Sequence, residues 1–187
     1  MTVFNMPVYH VVVMGVSGAG KSTVGKLLAR EIGASFIDGD DLNPEANVAK
    51  MAAGKPLDDA DREPWLEAIA KEFGRAGEKS LVVACSALKK SYREIIRQAD
   101  PTVRFVFLEG SRELLAARLA ARSSGHFMPP SLLQSQLDTL EPLETDESGF
   151  ALNVAQTPEE LAREAARLLK TEERCRDPVS RRESGSP

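Results

Sequence analysis

The sequence predicts an α/β protein in which a central parallel sheet is flanked by helices on both faces. Three observations carry this. Short, nearly continuous apolar runs at residues 8–14, 81–85 and 103–108 have the composition of strands buried on both sides. Stretches with apolar residues at helical spacing separate them, and a glycine-rich turn joins the first run to the first such stretch. Strands alternating with helices are the signature of βαβ units, which place successive strands in parallel.

Taken in order, residues 8–14 are the first strand and residues 15–20 break its pattern. Residues 21–32 follow as a helix with Val24, Leu27, Leu28 and Ile32 on one face. A second short strand at 35–37 runs into the acidic residues 38–41, and residues 44–53 form a short helix. The acidic run 58–61 supplies an N-cap and favourable first-turn charge to a helix carrying Trp65, Leu66, Ile69 and Phe73, with Trp65 read as core packing. The third strand at 81–85 precedes a helix from about 88 to 98, which Pro101 separates from the fourth strand at 103–108. Residues 113–122 are helical, 123–130 are a polar break with Gly125, Pro129 and Pro130, and 132–140 are helical again. The last strand is 150–154 and the last helix 158–170, with Pro158 in its first turn. Residues 1–170 therefore read as one domain, and the Arg/Glu/Ser/Gly/Pro composition of 171–187 predicts a disordered tail.

The chain has 187 residues, a net charge of -4, 42% hydrophobic and 28% charged residues. That balance argues against nucleic acid as a partner, since no basic face dominates. No apolar run approaches the roughly 20 residues of a membrane helix, and no leader pattern is visible. Cys85 and Cys175 make neither a disulfide framework nor a metal cluster, so a reducing, cytoplasmic setting is expected.

Gly15, Val16, Ser17, Gly18, Ala19, Gly20, Lys21 and Ser22 fit G-x-x-x-x-G-K-S/T, with Thr23 next in the helix. Glycines let such a loop turn its backbone N–H groups onto phosphate oxygens, and the helix that follows offers its free N–H groups and positive dipole end. Lys21 is placed for the β and γ phosphates and the Ser22 hydroxyl for Mg²⁺. The expected architecture is thus the three-layer P-loop NTPase fold, with ATP and Mg²⁺ as cofactors. An N-K-x-D segment is missing, and Asp146–Gly149 reads as a turn before the last strand rather than a nucleotide switch. After the third strand the chain runs Cys85, Ser86, Ala87, with no metal-binding Asp. Acidic groups must come from Asp38 and Asp40 at the tip of the second strand, across the ligand crevice from the loop. One carboxylate would hold Mg²⁺, and Asp38 is assigned that part. The other, Asp40, would accept the proton of an attacking hydroxyl.

At this point the sequence resembles the gluconate kinases (gluconokinases), small P-loop kinases of sugar acids. The likeness is carried by residues 14–23, by Asp38, Gly39 and Asp40, by the segment 47–54 ending Lys50-Met-Ala-Ala-Gly54, and by Pro56, Leu57 and Asp58. Asp61, Arg62, Trp65 and Leu66 continue it, as do the run 85–93 and the group His126, Phe127, Met128, Pro129. The resemblance implies phosphorylation of gluconate to 6-phosphogluconate. It also implies that Arg62, Ser86, Lys89 and Arg93 line the acceptor pocket with Asp40. A mobile helical lid over about 111–143 would bring Arg118 onto the adenine and Arg122 onto the transferring phosphoryl group. A homodimer is implied as well. One position departs from the family pattern: Asn43-Pro44 stands where His-Pro is usual, keeping a hydrogen-bonding group but no charge. Two alternatives share the phosphate loop: another small-molecule kinase of shikimate-like or nucleotide type, and a nucleotide-binding regulatory protein without an acceptor.

Overall fold

A computed structural model describes residues 7–53, 55–121 and 130–176. The elements follow the expected alternation: β1 His10–Met14, α1 Lys21–Ile32, β2 Ser35–Asp38, a 3₁₀ turn at Gly39–Leu42, α2 Glu45–Ala52 and α3 Asp59–Ala76. They continue with β3 Leu81–Ala84, α4 Lys90–Ala99, β4 Arg104–Glu109, α5 Arg112–Ala121, α6 Pro130–Thr139, β5 Gly149–Asn153 and α7 Pro158–Arg176. Among the described residues the strands make one parallel sheet in the order β2-β3-β1-β4-β5. The chain leaves β1 for one edge, returns through β3, then crosses to the other side of β1. The reversal at β1 opens a crevice beyond its carboxyl end.

Strand side chains alternate between faces, and the two halves of the core show this directly. Val11 and Val13 of β1 join Val82, Val106 and Leu108 beneath α1 and α7, where Val24, Leu28, Leu161, Ala165 and Leu169 close the layer. Val12 and Met14 point the other way, with Val83, Phe105 and Phe107, against Trp65, Ile69 and Phe73 of α3 and Tyr92 and Ile96 of α4. The third helix starts on a full capping box: Asp58 accepts from the Asp61 N–H and Asp61 from the Asp58 N–H, each at 2.9 Å. Lys50 of α2 pairs with both Asp58 and Asp61.

Two expectations change. The last helix runs past Lys170 to Arg176, because Arg104, buried in β4, pairs with Glu172 and Glu173 on its next turn. Residues 177–187 of the expected tail lie outside the described residues. The helix after β3 begins at Lys90 rather than near residue 88, because Ala87 takes a positive φ of 42° and the Ala87 and Leu88 carbonyls turn toward Arg93.

Candidate functional site

The phosphate loop leaves β1 at Met14 and enters α1 at Lys21, and no side chain caps the first turn of α1. Its free N–H groups are therefore left for an anion. The Gly15 N–H donates to the Ser86 carbonyl at 3.3 Å, which ties the loop to the end of β3. Lys21 Nζ lies back over the loop and donates to the Val16 carbonyl at 3.2 Å. Beside it the Ser17 N–H donates to Gln136 Oε1 of α6 at 2.7 Å. Helix α5 presses on the same loop: a Cβ at Gly18 would lie 3.0 Å from Leu119 Cγ and 3.1 Å from the Leu115 carbonyl. Helices α5 and α6, both within the span 111–143 expected as a lid, thus rest on the phosphate loop.

The acidic tip is built as tightly. Asp38 closes β2 and its Oδ1 accepts from the Asp40 N–H at 3.2 Å, capping the 3₁₀ turn. Gly39 must be glycine, because a Cβ there would lie 2.4 Å from the Ala84 carbonyl. The Trp65 indole N–H donates to the Gly39 carbonyl at 2.6 Å, so this core residue also anchors the turn. Asn43 donates to the Asp40 carbonyl at 3.4 Å, and buried Asn47 reaches Asn43 at 3.5 Å and the Asp61 carbonyl at 2.7 Å. In this chain Asn43 braces the acidic turn.

Asp40 is exposed by surface area, yet protein surrounds it closely on its inner side. That partial loss of solvent pushes its carboxyl above the ordinary value, against the pull of Lys21 and with a push from Asp38 and Asp41. Burial likewise pushes the Cys85 thiol up to about 12, opposed by the Ala87 N–H and by the charges of Lys21 and Arg62, with Asp40 adding to the rise. One thiol just beyond β3 thus feels the loop lysine, the acidic tip and the predicted acceptor arginine together.

On the acceptor side, one ring organises two cations. The Tyr92 ring lies 5.7 Å from Arg62 Cζ and 5.4 Å from Lys89 Nζ. Lys89 Nζ donates to both Asp59 oxygens at 2.8 Å, and the Tyr92 hydroxyl to Asp59 Oδ1 at 2.5 Å. The Asp59 hydrogen bond raises the Lys89 ammonium, and Lys89 and Tyr92 lower the Asp59 carboxyl. Lys89 is already matched, whereas the Arg62 guanidinium makes no hydrogen bond or ion pair among the described residues. Sequence reasoning missed Tyr92 and Asp59. The available signal was their helical spacing, Tyr92 three residues after Lys89 and Asp59 three before Arg62.

Arg93 is a correction. Its guanidinium is 0% exposed and points into the protein. Nε and Nη2 grip the two Glu147 oxygens at 2.5 and 2.8 Å, and the remaining N–H groups donate to the carbonyls of Ala87, Leu88, Glu141 and Pro142. With every donor occupied it has none for an acceptor substrate; it is a buried brace that stitches the loop after β3 to the turn before β5. Its neighbour Lys90 pairs with Glu144 and Asp146 of that turn.

Arg118 of α5 donates to the Val154 carbonyl at 2.5 Å, beyond β5 and so on the opposite side of β1 from the acidic tip. Arg122 and His126 lie outside the described residues. Among the described residues no three His, Cys, Asp or Glu side chains gather as a metal cluster. The donors present, the Ser22 hydroxyl and the carboxylates of Asp38 and Asp40, suit a hard cation that takes its other ligands from phosphate and water.

The sequence model of the shikimate kinase family matches residues 17–170. Among curated proteins, the gluconokinase of Gluconobacter oxydans is 47% identical over 87% of this chain and 92% of its own length. The thermoresistant gluconokinase of Escherichia coli is 44% identical over 75% of this chain and 81% of its own. Among solved structures, a gluconokinase from Sinorhizobium meliloti superposes with a TM-score of 0.81 at 47% identity, covering 90% of this chain and 98% of that one.

Proposed function

The chain belongs to the gluconokinase family, and on that premise we propose that it transfers the terminal phosphoryl group of Mg·ATP to the primary hydroxyl of D-gluconate. The bond from the γ-phosphorus to the bridging oxygen breaks, a bond from that phosphorus to the gluconate oxygen forms, and ADP leaves. Asp40 orients the hydroxyl and takes its proton. The loop of residues 15–20 wraps the phosphates, its amides from Gly18 onward holding them together with Ser22 and Thr23 while the Gly15 and Ser17 N–H groups serve Ser86 and Gln136, and Lys21 offsets charge on the β and γ groups. Ser22 and Asp38 would hold Mg²⁺, which supplies further charge neutralisation when bound. Arg118 packs on the adenine side, and Arg122 meets the transferring phosphoryl group.

For the acceptor, Arg62 is the fork for the gluconate carboxylate, because it stands beside Lys89 without a carboxylate of its own. Ser86 and Lys89 complete the pocket edge. The observation that supports this reading is the parallel sheet, where the phosphate loop leaves β1 and the acidic tip leaves β2 at the same carboxyl edge, with the Arg62 fork unmatched beside Lys89. A setting in the reducing cytoplasm suits the free, buried Cys85. The test is an acceptor screen that follows ADP release with gluconate, shikimate, nucleoside monophosphates and neutral polyols. Gluconate should lead by a wide margin. Slow ATP hydrolysis indifferent to any sugar acid would instead mark a nucleotide-binding protein without an acceptor.

A further inference from the structure

Gln136 reaches the phosphate loop from the far end of the chain. The Ser17 N–H donates to its Oε1 at 2.7 Å across a separation of 119 residues. A backbone N–H can only donate, so the contact settles which end of the carboxamide is oxygen. The Nε2 amino group is then the free end, and it has no hydrogen-bond partner among the described residues. The helix behind it is firmly seated. Leu133 is buried in the core and Leu137 and Leu140 pack against it, three, one and four residues from Gln136. The Glu141 N–H donates to the Leu88 carbonyl at 2.8 Å just beyond the helix end. The nearest charge on the helix, Asp138, is engaged by Gln134. A neutral donor is thus held at the edge of a loop built for a polyanion, where a carboxylate would repel it.

We propose that Gln136 is a phosphate ligand in the transfer reaction: clamped through its oxygen to Ser17, it donates from Nε2 to an oxygen of the terminal phosphoryl group. The proposal rests on the kinase reading of this site and adds to it a donor from α6. Ser17 gives its own N–H to α6, so the loop amides that follow, from Gly18 to the start of α1, hold the inner phosphates. The carboxamide beside Ser17 then stands where the outermost phosphate emerges. Held by the Ser17 N–H and seated by α6, it needs little reorganisation as charge develops.

Two variants separate donation from tethering. Gln136→Glu keeps the length and an acceptor oxygen for Ser17 but loses the donor and adds negative charge. Gln136→Met keeps the bulk and loses both polar atoms. Both should lower kcat with gluconate by roughly tenfold to a hundredfold, the size expected for a lost hydrogen bond to a charged group, with the Glu variant the worse. By calorimetry ADP should bind within about twofold of wild type, while a non-hydrolysable ATP analogue binds more weakly. Wild-type activity in either variant, or a milder loss in the Glu variant than in the Met variant, overturns the proposal. So does an equal loss of affinity for ADP and for the ATP analogue, which marks a purely structural tether. If the unaltered protein fails to turn over gluconate, the acceptor assignment falls, and the ADP-against-ATP-analogue comparison still decides the role of Gln136.

Discussion

Asp40 serves two opposed requirements. Its carboxyl is held above the ordinary value by lost solvent and by Asp38 and Asp41, so the charged form is worth less in the folded chain than in the unfolded one. The sign follows from linkage: the cost is present in full above the raised pKa and disappears as pH falls through it toward the unfolded value. Asp40→Asn should therefore raise the melting temperature at about pH 7, and the gain should close as the medium approaches about pH 4. A gap that persists unchanged into acid would rule this out. For catalysis, Asp40→Ala should lower kcat by roughly 10²–10⁴ and also raise the KM for gluconate, since positioning as well as basicity is lost. Rate loss with unaltered acceptor binding would contradict the positioning role. Arg93 behaves in the opposite way. Removing its guanidinium leaves Glu147 a buried carboxylate without its ion-pair partner, held only by the Glu144 N–H, and takes a donor from four carbonyls, of which that of Leu88 keeps the Glu141 N–H. Arg93→Met should destabilise by about 3–5 kcal/mol in urea denaturation, and Arg93→Lys should not restore it, because an ammonium cannot reproduce the fork. At this scale Lys21, Asp38 and Asp40 were legible because the motif and the strand tip specify where they stand. Arg93 was not, because its partner Glu147 lies 54 residues away and nothing in the local pattern announces it.

At the scale of elements, periodicity was the most reliable guide. The run ending at Met14 reads as a strand buried on both faces, and Val11, Val12, Val13 and Met14 do alternate between the two core halves. Composition was a poorer guide where one distant contact decided the outcome. The residues after Lys170 offer little apolar surface, yet the helix continues because Arg104 in β4 needs carboxylates that only the next turn can reach. The pairing makes the extension testable. Arg104 is buried and its two partners are partly exposed, so replacing Glu172 and Glu173 together by Ala should cost about 1–3 kcal/mol, as for lost hydrogen bonds to a charged group. Differential scanning calorimetry would check it, with a drop of roughly 2–4 °C per kcal/mol in a chain of this size. A double variant that melts with the wild type would mean the last turns of α7 contribute no stability. The late start of α4 has the same kind of cause: the Ala87 and Leu88 carbonyls serve Arg93.

For the whole molecule, alternating strands and helices made the layers readable, but not the order β2-β3-β1-β4-β5, because the sequence holds no record of which strand neighbours which. That order is what matters for chemistry. It puts the phosphate loop on the middle strand, the acidic tip two strands to one side and the Val154 carbonyl that holds Arg118 two strands to the other. Under the proposed assignment, donor and acceptor approach from opposite sides of β1. The loop, α5 and α6 are in contact with one another, so nucleotide should bind a formed site and stabilise the fold by mass action rather than by building it. At a concentration a hundredfold above its dissociation constant a ligand adds about 2.7 kcal/mol, which at roughly 2–4 °C per kcal/mol predicts a rise of about 5–10 °C in melting temperature with Mg·ATP analogue. Lys21→Ala should remove most of that rise at the same nucleotide concentration while leaving the ligand-free melting temperature nearly unchanged. Asp40→Asn should keep the nucleotide shift and lose the extra increment that gluconate adds to it. If the Lys21 variant were stabilised by nucleotide as strongly as wild type, the triphosphate would have to bind away from the loop, and the alignment of donor and acceptor across β1 could not be the basis of the reaction.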